Sequence, residues 1–338
     1  MLSIIDIMGP IVESVQKRQD LLGYIPIYTR SLAADNILDF DLYVFDGRDM
    51  VLFRSSQSSL TSESCSDLLK RNLNRLYVSA NQRHEYQQYI RTNISQILED
   101  KSVDDFTKAS IVYDSAKELV RDVFADPTKC QHIKDSQAFV ESTILYVLKG
   151  QNAFLNMLRV MSFDYTVFTH SVNVYTFSLA LAHAAGIAKT DELIKLATGA
   201  LLHDVGKTRI SESILHKSGP LDQSEWQIMH RHPQWGVELM SETDLIPQES
   251  YIPISQHHER ESGRGYPDGL GHDDIHIYGK IVAIADAFDA MTTNRVYRAA
   301  EGTFSTLKTM SAPEEGFDEP LLRQFIRLLG PVRPDIVR

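Results

Sequence analysis

The sequence predicts a multidomain protein: a small α+β domain over residues 1–100, a helical connector over 101–150, and an all-α bundle over 151–338. Three observations predict it. A chain of 338 residues is too long for one ordinary core and comfortable for two domains. Short strand-like apolar runs dominate until about residue 80, and from Asn81 apolar residues recur at spacings of three and four. Beyond residue 160 the helical spacing persists, with prolines and glycines concentrated between 219 and 269, where loops belong.

In the first zone, IPIYTR, DLYVF and MVLFRS read as strands, the last two around an Asp46-Gly47 turn signal. A short helix is expected from Thr61 through Asn72, then a strand at Leu76–Val78. Tyr86, Ile90, Ile94, Ile97 and Leu98 share one face of the helix that follows Asn81. No Gly-rich phosphate loop and no paired metal ligands occur in this zone. Residues 104–160 read as helical, interrupted at Asp126-Pro127.

Composition narrows the function classes. The chain is 43% hydrophobic and 23% charged, the profile of a globular protein. Its formal net charge is -11 with no long Lys/Arg run, which argues against DNA and anionic membranes as partners. A small anionic ligand stays open, because a few arginines and metal ions in a pocket overcome an acidic average. Two unrelated cysteines, Cys65 and Cys130, give no disulfide framework and suit a reducing cytoplasm. The opening MLSIIDIMGPIVESVQKRQD lacks the basic start and long apolar core of a signal peptide, and no stretch reaches the roughly 18 apolar residues of a membrane span. The expectation is a cytoplasmic protein.

Histidines carry the chemistry. His170 lies on a helix with Val167, Val174, Phe177 and Leu181 on one apolar face; His203-Asp204 ends a buried helix in GALLHDVGK. His232 stands in HRHPQWG, His257-His258 in SQHHERESGRGYP and Asp286 in IVAIADAFDAMT. One such residue alone would be an ordinary core histidine. Burying five imidazoles and two carboxylates unpaired would be very costly, and a shared metal cluster gives their lone pairs partners. Without thiolates, the set suits iron, manganese, nickel, cobalt or catalytic zinc. Adjacent ligands diverge by about 100° on a helix, so His257 and His258 can address neighbouring ions, with Asp204 as a bridge. Two ions roughly 3.5–4 Å apart can hold a hydroxide and polarise a phosphoryl oxygen, the chemistry of phosphodiester hydrolysis.

His170, His203-Asp204, Lys207, His232, His257-His258, Gly265-Tyr266-Pro267 and Asp286 together resemble the HD-GYP family of bacterial cyclic di-GMP phosphodiesterases. The likeness is dense from Asp164 to Arg298 and continues weakly into FDEPLLRQFIRLLG, which resembles the family's final helix. The resemblance implies an HD-type helical bundle that hydrolyses cyclic di-GMP through a metal-bridging hydroxide, with pGpG as the expected product and GMP as a candidate further one. It implies one ion on His170, His203, Asp204 and Asp286, and a second on Asp204, His232, His257 and His258. Iron or manganese are the expected metals. Some members carry a Glu four residues before the first His and bind a third ion; Thr166 stands there, so two ions are expected.

The resemblance also assigns Asp204 and Lys207 as catalytic, the lysine offsetting charge at the scissile phosphate. Gly265, Tyr266, Pro267, Asp289, Arg295 and Arg298 become substrate contacts, the arginines through their guanidinium forks. His230 and His216 are left without a role. Departures at Ser262, Lys280 and Val296 remove no ligand. Two competing readings keep the site: hydrolysis of another cyclic dinucleotide, or a sensor or docking adaptor with little turnover. The N-terminal domain is expected to regulate, to form a homodimer or to meet a signalling partner, with the helices over 104–160 as transmitter.

Overall fold

The computed structural model describes residues 23–32, 37–71, 73–149, 153–162, 166–294 and 300–330. The opening segment, Asn72, Asp164, Arg295, Val296 and Arg298 lie outside the described residues. The chain divides into two compact units between Ser115 and Ala116.

In the first unit, β1 (Tyr24–Tyr28), β2 (Leu42–Phe45), β3 (Met50–Arg54) and β4 (Arg75–Ser79) form an antiparallel sheet in the order β1-β4-β2-β3. The β2–β3 turn is made by the predicted residues. The Asp46 carboxylate accepts the N–H groups of Arg48 and Asp49 at 2.8 and 2.9 Å, and Gly47 takes φ +101°. Thr61 caps α1 (Ser62–Lys70) by accepting the Ser64 N–H. Helix α2 (Arg83–Glu99) buries Tyr86, Ile90, Ile94 and Ile97, the face that the spacing predicts.

Helix α3 (Asp105–Ala125) contains the division between the units, and α4 (Cys130–Lys149) follows the predicted break at Asp126-Pro127. The second unit continues with α5 (Ala153–Val160), α6 (Val167–Ala184), α7 (Thr190–Leu202), α8 (Glu212–Leu215) and α9 (Gln223–Met229). It ends with α10 (His232–Thr243), α11 (Tyr251–Gln256), α12 (Ile277–Thr292), α13 (Thr303–Met310) and α14 (Glu319–Leu329). Among the described residues, no helix is long and apolar enough to cross a membrane.

Helix α6 is the hub. The sequence expectation was one apolar face, but every residue from Thr169 to Ala182 is buried. The reason is that α4, α7, α12 and α14 all pack against it. Its interior polar groups are partly satisfied within the helix: the Thr176 hydroxyl donates to the Val172 carbonyl. Phe177, Phe288 and Phe325 meet edge to face at 5.0–5.6 Å and lock α6, α12 and α14 together. The expected final helix is α14, capped by Asp318 on the Leu321 N–H.

Candidate metal centre

All seven predicted ligands converge. His170 comes from the first third of α6 and Asp286 from the middle of α12; His203-Asp204 form the turn after α7. His232 opens α10, and His257-His258 form the turn after α11. Two groups, His170/His203/Asp204 and His232/His257/His258, each bring ligand atoms within 4.8 Å of one another. Asp204 joins them: Oδ2 lies 3.4 Å from His203 Nε2 and 3.7 Å from His170 Nε2, while Oδ1 lies 3.3 Å from His232 Nε2 and 3.9 Å from His257 Nε2. Asp286 also spans both groups, 3.1 Å from His170 Nε2 and 3.6 Å from His258 Nδ1.

A glycine makes this convergence sterically feasible. A Cβ on Gly206 would sit 1.9 Å from the His232 carbonyl oxygen. The 3-10 turn Val205–Arg209, which carries Gly206, can therefore press directly on the start of α10.

Backbone and carboxylate acceptors fix which imidazole nitrogen faces inward. His203 Nδ1 donates to Ala200 O, His232 Nδ1 to Met229 O, and His257 Nδ1 to Pro253 O and Ile254 O, at 2.8–3.1 Å. His170 Nδ1 donates to Asp289 Oδ2 at 2.7 Å. Each neutral ring then offers an Nε2 lone pair to the centre, the arrangement that metal-ligating histidines adopt. His232 Nε2 and His257 Nε2 face each other at 3.0 Å, two lone pairs that only a cation or an added proton can reconcile.

The electrostatics disfavour the proton. Burial, then the Lys207 ammonium, pushes His232 down to about 4. Burial with His203 and His232 holds His257 well below the usual histidine range, and burial with His257 does the same to His258. Burial opposes charge on Asp204, but Lys207, His203 and His232 outweigh it and hold the carboxyl well below the usual range. Burial likewise opposes charge on Asp286, and His170 and His258 outweigh it. Among the described residues, buried His203 Nε2 and Asp204 Oδ1 make no hydrogen bond. Orphaned buried atoms cost about 1–3 kcal/mol each. Neutral imidazoles, ionised carboxylates and orphaned lone pairs pointing inward fit a divalent metal centre.

Lys207 Nζ lies 2.5 Å from Asp204 Oδ2, at the edge of the cluster. Asp289 is not where a substrate contact belongs. It is fully buried behind His170, with Oδ2 on the His170 ring and Oδ1 accepting the Asn173 amide at 2.7 Å. Gly265 is a packing residue: a Cβ there would lie 2.5–2.6 Å from backbone atoms of His258, Glu259 and Arg260. The Tyr266-Pro267 peptide is cis. The Tyr266 ring is stacked between His230, centroids 3.9 Å apart, and His258, 4.5 Å apart, which leaves its edge for a ligand.

The sequence reading missed His230, Asn173 and Glu259. Glu259 is almost fully buried and accepts three backbone N–H groups, from Asp268, Gly269 and Leu270. An acid directly after two candidate ligand histidines was the available signal. A separate group, Glu261, His272 and Asp318, is already served by a cation, since Lys280 Nζ lies 2.8 Å from Glu261 Oε1 and 3.3 Å from Asp318 Oδ2.

The bundle and its clustered His-Asp pair define an HD domain, and a family profile for the HD domain matches residues 167–321. The Gly265-Tyr266-Pro267 turn stacked onto the cluster, together with the relatives below, supports assignment to the HD-GYP family. It is 30% identical over 225 residues to a cyclic di-GMP phosphodiesterase of Pseudomonas aeruginosa, covering 66% of this chain and 54% of that protein. It is 44% identical over 131 residues to the 3'3'-cGAMP-specific phosphodiesterase 2 of Vibrio cholerae, covering 38% of this chain and 25% of that protein. The chain thus spans between a quarter and about half the length of these relatives. A solved structure of an HDG"Y"P protein from Bdellovibrio bacteriovorus shares the fold, with a TM-score of 0.64, 22% identity, and coverage of 91% of this chain and 100% of that one.

Proposed function

We propose that this chain is a metal-dependent phosphodiesterase that hydrolyses cyclic di-GMP to pGpG, with GMP as a further product. The observation that carries the reading is the pair of three-residue groups sharing the Asp204 carboxylate. His170, His203, Asp204 and Asp286 would hold one ion, and Asp204, His232, His257 and His258 a second. Iron and manganese match the imidazole-carboxylate donor set. When bound, such ions lower the pKa of water and withdraw charge from a phosphoryl oxygen. Two ions are favoured over three because the hydroxyls of Thr166 and Thr169 serve the reciprocal N-terminal capping of α6.

Lys207 would hold its ammonium beside Asp204 and offset charge developing on the phosphate. Tyr266 would meet the ligand with its hydroxyl edge, and Pro267 would border that contact. Arg295 and Arg298, outside the described residues, would pair with the ligand phosphates on the strength of the resemblance. Residues 151–338 would form the catalytic domain, 1–100 a regulatory or dimerising domain, and 101–150 the connector, in a cytoplasmic signalling protein. The Vibrio relative favours one second reading, a mixed cyclic dinucleotide as substrate.

Chromatographic assay of the full chain loaded with iron or manganese tests this. Wild-type protein is expected to convert cyclic di-GMP to pGpG, and Asp204→Ala to lose the activity by several orders of magnitude. Tight binding of cyclic di-GMP without product would make the protein a sensor. Faster turnover of 3'3'-cGAMP in competition would move the substrate to the mixed dinucleotide.

A further inference from the structure

Four of the five clustered imidazoles are oriented by a hydrogen bond from Nδ1: three to helix-end carbonyls and one to Asp289. His258 is different. Among the described residues, neither of its ring nitrogens makes a hydrogen bond, and its nearest carboxylate, Asp286, stands 3.6 Å from Nδ1. An imidazole on a rotatable side chain needs another restraint if it is to hold one plane. The restraints present are aromatic: His257 at 4.2 Å and 47°, His232 edge-on at 5.0 Å, and Tyr266, the one that stacks. Tyr266 lies on the His258 ring at 4.5 Å with planes 26° apart, and is itself backed by His230 at 3.9 Å and 14°.

Tyr266 sits in a turn without regular secondary structure, so something must hold the turn in place. Three contacts do so, and all return to residues 258–260. The Tyr266 N–H donates to the His258 carbonyl at 3.2 Å. Gly265 lies directly on the 258–260 backbone, too close for any side chain. The Glu259 carboxylate accepts the N–H groups of Asp268 (2.7 Å) and Gly269 (3.2 Å) on Oε1 and that of Leu270 (2.9 Å) on Oε2. A carboxylate gripping three consecutive amides forms charge-assisted hydrogen bonds, stronger than neutral ones. Glu259 is almost fully buried, so water does not compete for them.

We infer that Glu259 is a positioning residue: it clamps the 266–270 turn so that Tyr266, backed by His230, sets the plane of the His258 imidazole. This rests on the reading of His258 as a metal ligand. It gives Tyr266 a task in building the site that is separate from touching substrate.

The test is manganese binding to the full chain by calorimetry, with metal counting, for wild type, Glu259→Gln, Glu259→Ala, Tyr266→Phe and Tyr266→Leu. Thermal melts of each metal-free variant run alongside. Tyr266→Phe keeps the ring and is expected to keep both ions at wild-type affinity. Glu259→Ala and Tyr266→Leu are expected to weaken one ion by on the order of tenfold or more and leave the other. Glu259→Gln retains the Oε1 contacts but sets an amide against the Leu270 N–H, and should fall between. If Glu259→Ala does not fold, the His258 ring-proton shifts in metal-free Glu259→Gln serve instead; the stacked tyrosine displaces them in wild type, and the variant should relax them. Unchanged affinities in the folded variants, or equal loss of both ions in step with a lowered melting temperature, would overturn the inference alone. Absence of manganese binding in wild type would overturn the ligand reading and the inference with it.

Discussion

A neutral imidazole carries a single proton, and at this centre the acceptors behind His170, His203, His232 and His257 claim it. That leaves the metal-free site poised for a cation and intolerant of acid. His232 is pushed down to about 4, whereas unfolded histidines titrate near 6.5. Between those values the unfolded chain binds more protons than the folded one. The stabilising effect is therefore fully present above about pH 6.5 and lost as pH falls toward 4, on the order of 3 kcal/mol for His232 alone. Thermal melts of metal-stripped protein should show a midpoint that drops steadily from pH 7 to pH 4.5. A flat profile would mean that His232 is not held neutral in the fold. At this scale the candidate ligands were legible, because each sits in a short local motif. The partners that orient them were not: Asp289 reaches His170 across 119 residues of chain, and nothing in its local sequence separates that task from a substrate contact.

Helix ends, more than helix faces, deliver the ligands. His203 and His257 stand just past the ends of α7 and α11, and His232 starts α10. The last carbonyls of a helix are thereby available to the histidine Nδ1 groups. The start of α6 makes the opposite use of an end, spending Thr166 on a reciprocal cap one turn before His170. Thr166→Val should cost about 1 kcal/mol of stability in denaturant titration and leave the ion count at two. Thr166→Glu should bring the count toward three by metal analysis, at a similar cost in stability. A count that stays at two would show that this position alone does not set the number. The spacing of apolar residues revealed α2 well, since it has one buried side, whereas α14 was expected from the resemblance. It understated α6, whose neighbours surround it.

At the scale of the molecule, the helical unit folds around inward-facing lone pairs that a metal ion would satisfy. Segments from α6, α7, α10, α11 and α12 all end their packing at the same cluster. Metal should therefore be a large part of this unit's stability, because anything that binds only the folded state stabilises it by mass action. An ion at a hundred times its Kd contributes about 2.7 kcal/mol. Chelation of loaded protein should lower the thermal midpoint by several degrees in calorimetry, and manganese should restore it. An unchanged midpoint would contradict a buried binding site.

The switch from strands to helices, the candidate ligands and the family resemblance were legible in the sequence, because spacing and short motifs are local properties of the chain. Distant packing accounts for the rest: Asp204 shared between two groups, Asp289 placed behind His170, and Tyr266 stacked on His258, whose ring nitrogens make no hydrogen bond among the described residues. Those relations depend on which distant residues come into contact, and contact is set by packing rather than by any one segment.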